Sequence, residues 1–244
     1  MAYREFRAPA QLAGIVECGW ASRTGADEPG CVQQVLPDGC MDLIWDGREV
    51  LVAGPDTAPH PAHRAPGDEL VGLRFVPGAL PVLLGVPASE LRDRRVPLAE
   101  LHPALARPGP DGRTGAQRLL ALSLALPGSG PERSAPALVA RIGAGAGVGA
   151  TADALGWTTR TLHRRCLESF GYGPSVLRRV LRFRRATDLL YAGVAPAEVA
   201  AQAGYADQPH LSREVRALGG VAPGQLASGA NRSTPVPSGS CTTA

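Results

Sequence analysis

Two short runs in the second half of the chain carry side chains that could read the edges of DNA base pairs. The first run offers Thr159, Arg160, His163 and Arg164, and the second offers Gln208, His210, Ser212 and Arg213. Arginine, glutamine and histidine can hydrogen-bond base edges in a major groove, while serine and arginine can also hold phosphates. These residue types predict binding of double-stranded DNA.

The two runs belong to a near-repeat in the sequence, which indicates how they are positioned. Ala152, Gly156 and Leu162 of the first copy correspond to Ala200, Gly204 and Leu211 of the second. A small alanine lets two helices cross closely, and a glycine suits the left-handed backbone where a helix ends. Thr158 and Asp207 are natural N-caps for the helix that follows. Each copy therefore predicts a helix-turn-helix.

A basic helix is predicted between the copies, over residues 175–191. Arg178, Arg182 and Arg185 fall at i, i+4 and i+7 and share one face, and we expect Arg178 to neutralise a phosphate. Arg184 and Asp188 can pair at i, i+4. At ~1.5 Å per residue the helix is about 25 Å long, which permits two recognition helices to reach major-groove segments ~34 Å apart.

Residues 137–227 resemble the DNA-binding domain of the AraC family of bacterial transcription regulators. The matching segments are residues 156–165, 171–174, 178–186 with 189–190, 199–213 and 220–223. The resemblance implies that one polypeptide carries both recognition helices, reads an asymmetric site and works with RNA polymerase. It places base-reading positions at Arg160, His163, Arg164, Gln208, His210 and Arg213. Cys166 and Val215 depart from the family's aromatic residues, and we expect Cys166 to be a small buried hydrophobe.

The charge distribution divides the chain in the same way. Residues 134–244 hold 12 Arg and 6 acidic residues, a net charge of +6, whereas residues 1–133 hold 13 Arg and 16 acidic residues, a net charge of −3. The total of +3 therefore conceals a basic C-terminal half, which is typical of a DNA-binding domain. All 25 basic residues are arginine, which suits bidentate contact with guanine and phosphate.

The first hundred residues are predicted to form a small, mostly antiparallel β-barrel. Strands are predicted over 32–36, 40–45, 49–53 and 70–76, short helical turns over 80–84 and 88–91, and a helix over 114–126. Segments 36–44, 72–78, 84–86 and 90–93 are similar to the N-terminal domain of many AraC-type regulators from high-GC bacteria. That resemblance implies a cupin-like barrel that binds a small-molecule effector or mediates homodimerisation.

The predicted fold class is α+β: a small β-rich, cupin-like barrel followed by an all-α domain of two helix-turn-helix units joined by a long helix. We expect a sensor or dimerisation domain over 1–126, a protease-sensitive linker over 127–136, the DNA-binding domain over 137–227 and a disordered tail over 228–244. No run approaches the ~18 apolar residues of a membrane span, and no apolar signal segment begins the chain. We expect a non-enzymatic, cofactor-free cytoplasmic protein associated with the nucleoid.

Cysteine and histidine residues leave two further functions open. His60 and His63 could join Cys31 or Cys40 as metal ligands in a metal- or thiol-stress sensor with the same DNA-binding output, although no Cys-x2-Cys supports a metal site. Cysteine-dependent alkyl transfer is the enzymatic alternative, but Cys18, Cys31 and Cys40 are widely spaced for a zinc-thiolate centre. Cys40 stands between Asp38 and Asp42, and flanking acids suppress thiolate formation.

Overall fold

The computed structural model describes residues 2–105, 113–128 and 134–227, so the predicted tail over 228–244 and the centre of the predicted linker lie outside the described residues. Its strands are β1 (Ala2–Arg7), β2 (Val16–Arg23), β3 (Cys31–Val35), β4 (Met41–Trp45), β5 (Val50–Ala53), β6 (His60–Arg64), β7 (Glu69–Phe75) and β8 (Arg95–Pro97). Its helices are α1 (Ala79–Leu84), α2 (Ala88–Leu91), α3 (Leu98–Leu101), α4 (Gly115–Ala125), α5 (Ala135–Gly143), α6 (Val148–Ala154), α7 (Thr159–Phe170), α8 (Pro174–Tyr191), α9 (Pro196–Ala203), α10 (Gln208–Gly219) and α11 (Pro223–Ala227).

The strands form two antiparallel sheets. Six of them follow the order β1-β2-β7-β4-β5-β8, and β3 pairs with β6 in a separate two-stranded sheet. Because successive side chains of a strand point to opposite faces, Leu43 and Leu73 face one side of the large sheet while Asp42 and Arg74 face the other. The first face is the apolar core, and the second encloses a cavity with β3 and β6.

Four helices cover the apolar face of the large sheet. Leu119 of α4 is fully buried against the strands, and Leu84 and Leu98 complete the same core. A capping box, which the sequence patterns did not predict, begins α4 at Thr114. The Thr114 side chain accepts a hydrogen bond from the Gln117 N–H. Leu124 stays 56% exposed, so α4 is covered on one side by the sheet and open on the other.

The C-terminal helices form two small cores that share α8. Leu162 and Phe170 of α7 pack with α5, α6 and the first half of α8, and Leu211 and Val215 of α10 pack with the second half. Cys166 is fully buried in the first core, as expected of a small hydrophobe. In the part of the chain that the structure describes, no helix is long and apolar enough to cross a membrane.

The β-rich domain docks directly on the helical domain. Leu36, in the loop between β3 and β4, packs into the second helical core. Arg92 Nη1 donates to the Gly171 carbonyl oxygen at 3.2 Å, which ties the segment after α2 to the end of α7. A Cβ on Gly171 would lie 2.7 Å from Pro55 Cγ, so the two domains meet here without space for a side chain.

The predicted fold class is confirmed: a β-rich N-terminal domain is followed by helices. The four predicted strands are present, and so is the long helix, which begins one residue earlier at Pro174. The sequence patterns missed β1, β2, β6 and β8. His60 and His63, the possible metal ligands, both lie on β6, where His63 pairs with Val32 of β3.

Candidate nucleic-acid interface and N-terminal cavity

Helices α6 and α7 form the first helix-turn-helix unit. Gly156 ends the turn after α6 with φ +67°, a left-handed conformation that favours glycine. Thr158 then caps α7, because its hydroxyl oxygen accepts the Thr161 N–H at 3.1 Å. Leu162 is fully buried, which fixes the rotation of α7 and turns its predicted base readers to the surface.

The four predicted base readers of α7 are exposed, but they differ in whether neighbouring residues of the protein engage them. Among the described residues Arg160 forms no ion pair, so its guanidinium is available. Arg164 Nη1 pairs with Glu168 Oε1 at 3.0 Å across one helical turn. His163 lies against Gly173, where an added Cβ would be 2.8 Å from its Nε2. His163 and Thr159 share a shallow groove with Arg160 and Ser175, and Val148 and Val176 add apolar side chains to the same groove.

Helices α9 and α10 repeat this arrangement in the second unit. Gly204 has φ +80°, and Asp207 Oδ1 accepts the His210 N–H at 2.6 Å as the N-cap of α10. Pro209 occupies the first turn, where a missing N–H costs little. Leu211 and Val215 are fully buried and hold α10 as Leu162 holds α7.

The second set of predicted readers is less uniform. Gln208 and Arg213 are exposed, while His210 and Ser212 are half-buried. The His210 ring packs edge-on against Tyr205 at 5.2 Å, and its Nδ1 accepts the Ala206 N–H at 3.4 Å. An accepting Nδ1 leaves the proton on Nε2, so His210 can present a hydrogen-bond donor to DNA.

Salt bridges lock α10 onto α8. Arg179 Nε donates to Glu214 Oε2 at 2.8 Å, and Arg182 Nη2 lies 3.6 Å from the same oxygen. The Arg182 guanidinium also stacks over Tyr205, 4.4 Å from the ring centroid. The second recognition helix is therefore fixed to the helix that joins the units, and these contacts were not predicted from the sequence.

An arginine-lined cleft separates the two units. Arg178, Arg182 and Arg185 share the predicted face of α8 and line a space of about 330 Å³. The end of α5, including Gly145, and the end of α9, including Gly204, form its other walls. Three guanidinium groups in a cleft bounded by α5, α8 and α9 can attract a phosphate backbone.

A polar cluster joins α8 to the β-rich domain on another side of that helix. Arg184 Nη2 donates to Glu17 Oε1 and its Nη1 lies 3.3 Å from Cys40 Sγ, instead of forming the predicted pair with Asp188. Burial, reinforced by Asp38, raises the pKa of the Cys40 thiol well above its usual range. Burial also raises the pKa of Cys18 to about 12. Neither thiol is poised as a nucleophile at neutral pH.

The cavity of the β-rich domain lies between its two sheets. It measures about 190 Å³, and all eight strands contribute to its walls. Most of its lining is apolar, from side chains such as Val35, Ile44 and Leu51, with Trp20 and Tyr3 at one side. The two aromatic rings lie 6.1 Å apart between centroids and are nearly parallel. Leu36 lines this cavity and also packs into the second helical core.

Charged side chains interrupt the apolar lining at defined places. Trp20 Nε1 and Arg74 Nη2 both donate to Asp42 Oδ2, at 3.0 and 3.3 Å. Burial raises the pKa of the Asp42 carboxyl, since desolvation opposes its charged form. His60 lines the cavity, and burial lowers its pKa, so the ring is neutral near pH 7.

The histidines and cysteines of the metal-sensor alternative do not converge. His60 and His63 are three residues apart on one strand and therefore point to opposite faces of β6. Within residues 2–105, 113–128 and 134–227, no three His, Cys, Asp or Glu side chains are grouped to hold a metal ion. The four described cysteines, Cys18, Cys31, Cys40 and Cys166, are free thiols.

Two folded units with capped recognition helices, exposed arginines and a rigid joining helix define a class of DNA-binding protein, the double helix-turn-helix. Residues 151–228 match the sequence model of a helix-turn-helix domain family, and residues 4–97 match that of a domain of unknown function (DUF6597). The C-terminal domain is an AraC-type helix-turn-helix domain, preceded in this chain by a domain of the DUF6597 type.

Solved structures of ToxT from Vibrio cholerae align with this chain at low identity. One aligns over 93% of this chain and 98% of its own, with 10% identity and a TM-score of 0.48. A second, wild-type ToxT of strain SCE256 with a bound unsaturated fatty acid, aligns over 85% and 93%, with 10% identity and a TM-score of 0.45. No curated protein is detectably similar in sequence.

Proposed function

We propose that the protein is a sequence-specific, AraC-type transcription regulator that binds double-stranded DNA through both helix-turn-helix units at once. The observation that carries this proposal is the pair of capped recognition helices, α7 and α10, each presenting an exposed arginine and each held on the same α8. The protein acts by binding, without catalysis, in the cytoplasm on the nucleoid, and it works with RNA polymerase.

We assign base reading to the exposed residues at the start of each recognition helix. In the first unit these are Thr159, Arg160, His163 and Arg164, and in the second Gln208, His210, Ser212 and Arg213. Arg164 must exchange Glu168 for a base, which makes Arg160 the stronger candidate for bidentate contact with guanine. Arg178 is assigned to a phosphate because it lines the cleft between the units.

Binding of selected operator DNA and of random duplex by Arg160→Ala, Arg213→Ala and Arg216→Ala proteins tests these roles. Arg216 is exposed at the far end of α10, so its loss matches the charge change without removing a base contact. The first two variants should lose ~1–3 kcal/mol of operator binding and little random binding. Equal loss on both DNAs for all three variants would refute the assignment.

We infer that the N-terminal domain senses a small-molecule effector in its cavity. The supporting observation is the position of Leu36, which touches the cavity on one side and the core of the second unit on the other. An occupied cavity would shift this loop and, with it, the contact between the β-rich domain and the second DNA-binding unit. Homodimerisation is the alternative role of the domain, and light scattering at several protein concentrations would detect it.

A further inference from the structure

The charged side chains that line the cavity differ in whether they have an atom left to bind a ligand. Arg95 is fully engaged, because its Nη1 and Nη2 donate to the two oxygens of Asp56 at 2.8 and 2.7 Å. Arg74 lies between two carboxylates, with Nε 3.4 Å from Asp38 Oδ2 and Nη2 3.3 Å from Asp42 Oδ2. The remaining Arg74 Nη1 is buried away from any accessible space. Neither arginine that lines the cavity therefore offers a free donor to an anionic ligand.

Asp42, in contrast, has a carboxylate oxygen left to accept a hydrogen bond from a ligand. Its Oδ2 takes both hydrogen bonds, from Trp20 and Arg74, and within the described part of the chain its Oδ1 accepts none. Asp38 also lies beside Arg74, so this one guanidinium is shared between two carboxylates. The third nearby guanidinium, Arg64, donates to Ser22 and the Asp68 carbonyl and does not line the cavity.

The aromatic wall of the cavity favours the same sign of charge. Trp20 crosses Gly72 of β7 so closely that a Cβ there would lie 2.1 Å from the indole, and its N–H is directed to Asp42. The neighbouring Tyr3 donates its hydroxyl to Glu5 at 2.9 Å, which leaves the ring as its contribution to the cavity. Electron-rich ring faces attract cations, most strongly where water is excluded.

We propose that the cavity binds a compact organic cation, a primary ammonium ion on a single aromatic or aliphatic body, with its nitrogen at Asp42 and its body against Trp20 and the apolar strands. This inference rests on the proposed function, in which the cavity holds the effector. A cavity of about 190 Å³ fits a ligand of this size, since a dry cavity of ~150 Å³ holds benzene. An ammonium ion supplies the hydrogen bond that Asp42 Oδ1 lacks.

Three probes of nearly equal size separate charge from hydrophobic burial: the 2-phenylethylammonium ion, neutral 2-phenylethanol and the phenylacetate anion. Titration calorimetry on the full chain, with Trp20 fluorescence as a second readout, should show the cation binding at least tenfold tighter than the alcohol and the anion not binding. Equal or tighter binding of the alcohol or the anion, or no binding of the cation at millimolar concentration, would overturn the proposal.

Variants place the site. Asp42→Asn should remove the tenfold preference for the cation, while 2-phenylethanol still binds. Glu69→Gln is the control: it removes an exposed carboxylate of the same sheet and should leave the affinities of the three probes unchanged. Should Asp42→Asn fail to fold, Ala62→Phe fills the cavity from β6 and should abolish cation binding. Undiminished cation binding in Ala62→Phe would place it elsewhere and overturn the proposal. Operator binding is measured in parallel and tests the proposed function separately. If the cavity prefers a neutral or anionic probe, the proposed DNA-binding function still stands.

Discussion

Arg184 of the joining helix donates a hydrogen bond to Glu17 of the β-rich domain, so the helix that spaces the two DNA-binding units is also held by that domain. Cys40 completes the contact, with its Sγ 3.5 Å from Glu17 Oε2 and 3.3 Å from Arg184 Nη1. Glu17 and Asp38 raise the pKa of Arg184, although burial opposes its charge. The loop between β3 and β4, which contains Cys40, also places Leu36 in the second helical core. Polar and apolar contacts therefore join the domains at one place.

Removing either partner of this pair should destabilise the whole chain. Glu17→Gln and Arg184→Ala each leave one charge largely buried, since both side chains are less than one-fifth exposed. We expect each to lower the free energy of unfolding by about 3 kcal/mol, at the lower end for buried pairs. Urea denaturation measures this, and the double variant should lose clearly less than the sum.

The exposed pair of Arg164 and Glu168 is the matched control. Its side chains are 59% and 41% exposed, so Glu168→Gln should cost no more than ~0.5 kcal/mol. Additive losses for Glu17→Gln and Arg184→Ala, or a loss as small as that of the control, would show that the interdomain pair does not hold the domains together.

The arginine cleft should contribute a sequence-independent part of DNA affinity. Arg178→Ala and Arg185→Ala each remove one guanidinium from the space between the units. Each should weaken specific and random binding about equally and reduce the slope of log K against log salt by ~1. Arg4→Ala, which removes an exposed arginine from β1, is the control and should leave the slope unchanged. An unchanged slope in the cleft variants would remove these residues from the phosphate contacts.

Thiol reactivity tests the thiol-stress alternative. In a Cys241→Ser background, a disulfide reagent at pH 8 should label one thiol per native chain, Cys31, which is partly exposed, while Cys18, Cys40 and Cys166 are buried. Because the pKa of Cys18 is raised to about 12, its thiolate should appear only as the pH approaches that value. Urea should release all four thiols. Rapid native labelling of Cys40 would instead favour a thiol sensor at the domain contact.

The helix-turn-helix units could be predicted because local chemistry specifies them. Glycine at a positive φ, a capping Thr158 or Asp207 and a buried leucine each act within one or two helical turns. The rotation of each recognition helix follows from the leucine, so the exposed residues could be identified before the structure was known. The hydrogen-bond partners of these helices could not be identified from the sequence, as the bonds of His210 to Ala206 and of Glu214 to Arg179 show.

The β-rich domain was predicted only in part because its strands gain their stability from distant partners. β1 lies at the edge of the large sheet and pairs with β2, and β6 pairs with β3 in the two-stranded sheet. Neither β1 nor β6 has a strong local pattern. Arg184 lies four residues before Asp188, and that spacing suggested a local pair. The folded chain instead brings Glu17, 167 residues away, to the same guanidinium.

We propose that both units of one chain bind DNA together, held at a fixed distance by α8, with Arg179 and Glu214 locking α10 in place. The two reading surfaces differ, so one footprint should be non-palindromic. Footprinting on operators with inserted base pairs tests this directly. Five inserted pairs turn one half-site to the opposite face of the duplex and should abolish joint protection, and ten should not restore it, because α8 cannot lengthen by another turn. Full protection of both half-sites on the ten-pair insertion would contradict the rigid spacer and favour one unit from each of two subunits.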